Sequence, residues 1–99
     1  ASANTRYESA RRPFQSYFLA LAGGARLELM RLPDLADRPG TETVGFAHIA
    51  VALGSEGAVD TLTEKMRSAG VPVLSEPRRT GDGYYESVVA DPDGNEIEL

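Results

Sequence analysis

The stretch Glu86–Leu99, ESVVADPDGNEIEL, repeats the pattern of Ser16–Leu29, SYFLALAGGARLEL, at a shift of 70 residues. Gly94 falls on Gly24, Ala90 on Ala20, Ile97 opposite Leu27, Glu98 on Glu28 and Leu99 on Leu29, and just ahead Tyr84 falls opposite Phe14. Each half reads as a strand, a glycine-marked reversal and a second strand ending in an apolar-Glu-apolar triplet. Unrelated hairpins share much of such a pattern, because alternation has few solutions. The matched glutamate favours a repeat. Side chains alternate across a strand with period two, so Leu27 with Leu29, and Ile97 with Leu99, take one face while Glu28 and Glu98 take the other. If the halves pack about a pseudo-twofold axis, both carboxylates face one cavity.

The reversal DPDGN, Asp91–Asn95, invites a second interpretation, since Asp91, Asp93 and Asn95 match the first three ligand positions of an EF-hand loop. That loop needs glycine at its sixth position, where Glu96 stands, and it needs flanking helices. Calcium is discarded. Turn chemistry remains: Pro92 presets φ, the aspartates bond to nearby backbone, and Gly94 or Asn95 accepts positive φ, so the segment launches Glu98 in a fixed register.

Working outward, Val44–Leu53 reads as a buried strand ended by Gly54, with Ser55 placed to cap a helix. Val59, Leu62, Met66 and Ala69 line one helical face, with Asp60, Glu64, Lys65 and Arg67 largely on the other, and Gly70 stops the helix. A short strand over Val71–Leu74, a loop PRRTGDG, and strands over Tyr84–Ala90 and Glu96–Leu99 complete the order strand, helix, strand, strand, strand. The earlier half has strands at Ser16–Leu21 and Ala25–Leu32, turned at Gly23-Gly24. The counterpart of Phe46 would fall ahead of Ala1. The expected organisation is therefore residues 1–32 as the C-terminal part of a first module lacking its opening strand and helix, 33–43 as a linker broken by Pro33, Pro39 and Gly40, and 44–99 as a complete second module.

Composition narrows the function. Ninety-nine residues, 41% of them hydrophobic, are enough for one domain. The net charge of -5 argues against nucleic acid as partner, since phosphate binding needs a cationic surface. The longest apolar run, Phe46–Leu53, is interrupted by His48 and falls short of the ~20 residues of a membrane helix. With no cysteine, a metal would need nitrogen and oxygen ligands, and a reducing cytoplasmic setting is the expectation.

His48 is the sole histidine, set in FAHIAVAL with Phe46, Ala50 and Ala52 on its own face and the bulkier Ile49, Val51 and Leu53 on the other. A lone histidine on an apolar strand is commonly structural, its nitrogens satisfied by backbone or water. Set beside Glu28 and Glu98 it completes an imidazole-and-two-carboxylate set suited to a divalent cation of the zinc, nickel or iron type. Arg78 and Arg79 are candidate clamps for an anionic substrate, with solvated side chains as the alternative for them and for Arg11 and Arg12. The tyrosines read as strand packing with hydroxyls at a rim.

The GFAHIAV strand, the helix ending at Gly70-Val71-Pro72, the TGDGYYESVVADPDGNEIEL finish and the earlier GGARLELM together resemble the vicinal oxygen chelate superfamily, which includes glyoxalase I, methylmalonyl-CoA epimerase, extradiol dioxygenases and the bleomycin and fosfomycin resistance proteins. The resemblance spans nearly the whole chain and is nearest to glyoxalase I-like members. It implies an α+β fold of paired βαβββ modules forming a curved mixed sheet around a divalent metal, with Glu28, His48 and Glu98 as metal ligands. Glu98 would also be the catalytic base, moving a proton between adjacent carbons of a small hemithioacetal through an enediolate. A carboxylate at Glu28 favours the glyoxalase pattern over the dioxygenase one. The alternatives are a metal-free small-molecule-binding protein of the bleomycin-resistance kind, or a related epimerase or dioxygenase. The implied partner is a small-molecule substrate, and because modules in this superfamily pair within one chain or exchange between two, a homodimer is one of the implied arrangements.

Overall fold

The computed structural model describes residues 2–3, 7–8, 15–21, 23–37 and 43–99. They belong to two compact units, Ala1–Asp37 and Arg38–Leu99. Arg11, Arg12, Phe14 and the 38–42 part of the expected linker lie outside the described residues. The fold is α+β, with one helix and a mixed sheet among the described elements.

The first unit holds β1 (Ser2–Ala3), β2 (Tyr7–Glu8), β3 (Gln15–Ala20) and β4 (Arg26–Arg31). β3 and β4 form the expected hairpin, with Gln15 opposite Arg31 and Ala20 opposite Arg26. Gly23 and Gly24 take φ of +91° and +95°, values that a side chain would make costly, and Leu21 N donates to Ala25 O at 2.8 Å. β1 and β2 pair antiparallel with opposite ends of β3. Sequence reasoning assigned no strand there, because ASANTRYE carries no apolar alternation. Backbone pairing supplies what patterning lacks.

The second unit runs β5 (His48–Ala50), α1 (Glu56–Ser68), β6 (Val73–Arg79), β7 (Tyr85–Ala90) and β8 (Glu96–Glu98), with sheet order β5-β8-β7-β6. This is the βαβββ order. β5 lies parallel to β8, and the other pairs are antiparallel. Ser55 caps α1 by accepting Ala58 N–H at 3.1 Å, and Gly70, with φ +87°, follows its last turn.

The 70-residue shift recurs in the ladders. Phe18 pairs with Glu28 as Val88 pairs with Glu98, and Ala3 pairs with Leu19 as Val73 pairs with Val89. The same shift carries β6 onto residues 3–9, so it was the one sequence signal able to find β1 and β2.

Two strands, β5 and β6, differ from expectation by more than one residue at each end. Val44–Leu53 contributes only His48–Ala50 to the sheet, because β5 has β8 as its partner and β8 offers three residues. Val51 N donating to Glu98 O at 2.8 Å is the rung that follows. Val44 and Phe46 are fully exposed. β6 instead runs on through Pro77, Arg78 and Arg79, which had been assigned to a loop. It is an edge strand with register shifts between Val73 and Ser75 and between Ser75 and Arg78, the setting in which a proline without a donor is tolerated.

The core between α1 and the sheet contains Val59, Val89 and Leu99, each worth about 1.5–3 kcal/mol on burial. At its centre sits a polar pair. Thr63 and Ser87 are wholly buried, with Thr63 Oγ1 donating to Val59 O at 2.6 Å and lying 2.7 Å from Ser87 Oγ. The single Thr63 proton is committed to Val59, so Ser87 is the donor in the pair. Apolar spacing alone passed over Thr63 and named Ala69, which is exposed. Among the described residues, no helix is long and apolar enough to cross a membrane.

Candidate functional site

β5 and β8 are parallel neighbours with His48 opposite Glu96 and Ala50 opposite Glu98. Ladder partners share a face, so His48, Ala50, Glu96 and Glu98 all point away from the face that carries Ile49 and Ile97. His48 reaches diagonally to the second glutamate: its Nε2 lies 2.5 Å from Glu98 Oε2. The imidazole is half-exposed and the Glu98 side chain is 17% exposed, so one end of the pair meets solvent while the other is sheltered.

The turn before β8 sets this register. Asp91 Oδ1 accepts from the backbone N–H of Asp93 at 3.0 Å and of Asn95 at 2.7 Å, and Oδ2 accepts from Asn95 Nδ2 at 2.9 Å. Gly94 follows with φ +83°. The Asp91 carboxylate is thus engaged inside the turn, in keeping with a reversal rather than a calcium loop.

His48 and Glu98 line a cavity of about 860 Å³ contained within the second unit. It lies between the segment that follows β5 and the start of β7, past the end of β8. Arg79, Tyr85 and Glu56 border it. Arg79 pairs with Glu56 in the first turn of α1 and stands over the Tyr85 ring, 5.8 Å from its centroid. Tyr85 donates its hydroxyl to Asp60 at 2.6 Å, and that hydrogen bond to a carboxylate pushes the phenol pKa up. Asp82, also on the border, is held below the ordinary carboxylate value by the Thr80 hydroxyl. The two candidate arginines part company. Arg79 faces the cavity with its charge matched by Glu56, whereas Arg78 is the ladder partner of Glu86 and donates Nε to Ser75 Oγ at 3.1 Å. Tyr84, expected to pack in a strand, is exposed and precedes the first residue of β7.

Glu28 sits on β4 of the first unit, exposed, with Phe18 as its ladder partner. Its register matches that of Glu98 in the second unit. Among the described residues, no group of three histidine or carboxylate side chains gathers. The pair that does gather has the right donor types for a divalent cation, but at 2.5 Å the two side chains meet directly. Two donors each about 2.0–2.2 Å from one ion at near-tetrahedral angles stand roughly 3.3–3.5 Å apart. A rotation moving the tips apart by about 1 Å would admit an ion, and the exposed imidazole has room for it. Sequence reasoning passed over Glu56 and Glu86 as cavity residues. For Glu86 the signal was available, because it shares the alternation of Val88, which stands opposite Glu98.

A profile of the glyoxalase/bleomycin resistance protein/dioxygenase superfamily matches residues 4–99. The chain belongs to this superfamily. It superposes on a crystal structure described as a "putative glyoxalase" from Bacillus halodurans with a TM-score of 0.69 and 26% identity, covering 98% of this chain and 73% of that one. It is also 39% identical over 59 residues to the uncharacterized protein YqjT of Bacillus subtilis (strain 168), a match over 57% of this chain and 46% of that protein. The chain thus spans about half the length of the curated relative it matches. As a superfamily member, it carries the His48–Glu98 pair at the parallel strand junction of its βαβββ unit.

Proposed function

We propose that this superfamily member is a glyoxalase-type lyase or isomerase that shifts a proton between adjacent carbons of a small hemithioacetal or similar oxygen-chelating substrate. The observation that carries the reading is the approach of His48 Nε2 to Glu98 Oε2 at the edge of a cavity. Likeness to the Bacillus halodurans protein adds support.

In this reading His48 and Glu98 hold a divalent cation of the zinc, nickel or iron type. The third donor is Glu28, the register equivalent of Glu98, from the same chain or from a second copy in a homodimer. A bound cation would polarise the substrate carbonyl and stabilise the negative charge that develops on its oxygen. Glu98 takes the proton from the carbon next to the carbonyl as the C–H electron pair forms the new carbon–carbon double bond and the carbonyl π pair moves onto oxygen. Glu98 then returns the proton to the former carbonyl carbon while the hydroxyl proton passes from the first oxygen to the second, leaving the new carbonyl on the sulfur-bearing carbon. Protons and electrons balance without an oxidant. His48 orients the carboxylate, and the sheltered side of Glu98 limits exchange of the carried proton with water.

A second reading is metal-free binding of a small molecule, favoured by the direct contact between the two side chains and by their number. One experiment separates the readings. The chain is incubated with Zn²⁺ or Ni²⁺, bound metal is counted after gel filtration, and isomerisation of methylglyoxal hemithioacetals is followed by absorbance. Stoichiometric metal with turnover that disappears in E98Q supports the lyase; ligand binding by metal-free protein, with no turnover under either metal, removes it.

A further inference from the structure

We propose that Arg78 and Glu86 together determine specificity, selecting short substrates whose non-reacting end is an α-amino-acid headgroup, with an ammonium and a carboxylate on one carbon. The inference rests on the proposed function and names a substrate class for the same site.

β7 keeps regular alternation, since the extra residues at the β6–β7 register shifts lie on β6. Val88 stands opposite Glu98, so Glu86, two residues along, points to the same face as Glu98 and His48. Arg78 is the direct ladder partner of Glu86 and shares that face. Arg79 and Tyr85 form the next rung and point to the helix side, where Arg79 meets Glu56 and Tyr85 meets Asp60. Glu96, another acid on the site face, stands opposite Ala90, on the other side of Glu98 from Glu86. The Arg78–Glu86 rung is thus the charged border of the site face toward the start of β7. Two residues of strand span about 6.8 Å, room for a spacer of about two or three carbons between oxygens held at His48 and Glu98 and a group at this rung.

Opposite charges directly across a ladder commonly pair. Among the described residues, however, neither Arg78 nor Glu86 enters the ion pairs of this unit. Arg78 turns its Nε along its own strand to the neutral Ser75 hydroxyl at 3.1 Å, and Glu86 stands half-buried on the cavity wall. Asp82, in the turn beyond, accepts from the Thr80 hydroxyl. A ligand end of a single sign gains one partner at the rung and meets one like charge, so the two effects largely cancel. A headgroup carrying both signs gains both partners. Its carboxylate takes the planar Nη pair of Arg78, which the bond to Ser75 leaves open, and its ammonium takes the Glu86 carboxylate.

The test uses four hydroxamates, which present two adjacent oxygens to the site and differ at the other end: glutamate γ-hydroxamate, 4-aminobutyrohydroxamate without the carboxylate, glutarate monohydroxamate without the ammonium, and butyrohydroxamate with neither. Binding to the Zn²⁺-loaded chain is measured by calorimetry. Glutamate γ-hydroxamate is expected to bind about fivefold tighter than either singly charged compound, the size of one partly exposed ion pair. R78Q should erase its advantage over 4-aminobutyrohydroxamate and E86Q its advantage over glutarate monohydroxamate, whereas H48A should weaken all four together. Urea unfolding of R78Q and E86Q separates these effects from a loss of fold. Equal binding of all four, tightest binding of a singly charged or neutral compound, or an advantage that either variant leaves in place overturns the role of the rung alone, as does failure of all four to bind a chain that holds Zn²⁺. A chain that takes up no Zn²⁺ overturns it together with the lyase reading.

Discussion

His48 Nε2 and Glu98 Oε2 meet at 2.5 Å across two parallel strands, although the ladder sets His48 opposite Glu96 and not opposite Glu98. The diagonal reach matters because it leaves the imidazole tip at the cavity and the carboxylate partly sheltered. Removing either side chain takes away one of two adjoining donors. H48A and E98Q should each lower Zn²⁺ affinity by more than about 100-fold, beyond the usual cost of losing an outer-sphere partner. E96Q, on the same face but without the contact, should change it little. Competition with a zinc-binding dye measures all three.

The buried Thr63–Ser87 pair should behave as a coupled unit. T63V keeps the shape but leaves the Ser87 hydroxyl without its acceptor in a site closed to water, costing about 1–3 kcal/mol in urea unfolding. S87A leaves Thr63 still bonded to Val59 O and should cost less. The double variant should be closer to wild type than the sum of the two.

The turn that launches β8 depends on one carboxylate. D91A removes the acceptor of two backbone N–H groups and of the Asn95 amide, and should destabilise the fold by about 1–2 kcal/mol. G94A places a side chain at φ +83° and should cost about 1 kcal/mol, although its Cβ meets open space. Thermal unfolding of each variant reports the loss.

Acid should weaken the link between α1 and β6. Arg67 donates Nη1 to Glu76 Oε2 at 2.8 Å and forms a second bond from Nη2, which holds the Glu76 carboxyl below its ordinary value of 4.5. A group whose folded pKa is depressed contributes stability that is present above the unfolded value and disappears as pH falls through the folded one. Wild type should therefore exceed E76Q in stability at neutral pH, with the gap closing as pH drops below 4.5. Because both side chains are exposed, added salt should shrink the gap as well.

Much of this architecture was legible in the residues. The cap at Ser55, the stop at Gly70 and the reversals at Gly23-Gly24 and Asp91–Asn95 are local devices, written in neighbouring residues and therefore readable without a fold. The shift linking Glu28 to Glu98 was legible too, and it reappears as identical ladder registers in the two hairpins. β1 and β2 were passed over because their strand character comes from the edge of β3, seven or more residues away, and not from their own side chains. The extension of β6 through Pro77 was missed for a related reason: an edge position excuses a missing N–H, and edge status belongs to the sheet.

Period-two alternation in the chain was sufficient to put His48, Glu28 and Glu98 on strand faces, because backbone stereochemistry dictates it, and Glu96 at the sixth position from Asp91 was sufficient to set aside an EF-hand loop. It could not choose the diagonal His48–Glu98 contact over a direct His48–Glu96 one, match Arg79 to Glu56, or bury Thr63 against Ser87. Those pairings join residues 23 to 50 positions apart. They exist because parallel strand pairing and helix-on-sheet packing bring distant side chains within hydrogen-bond reach, and no rule of local spacing contains that distance.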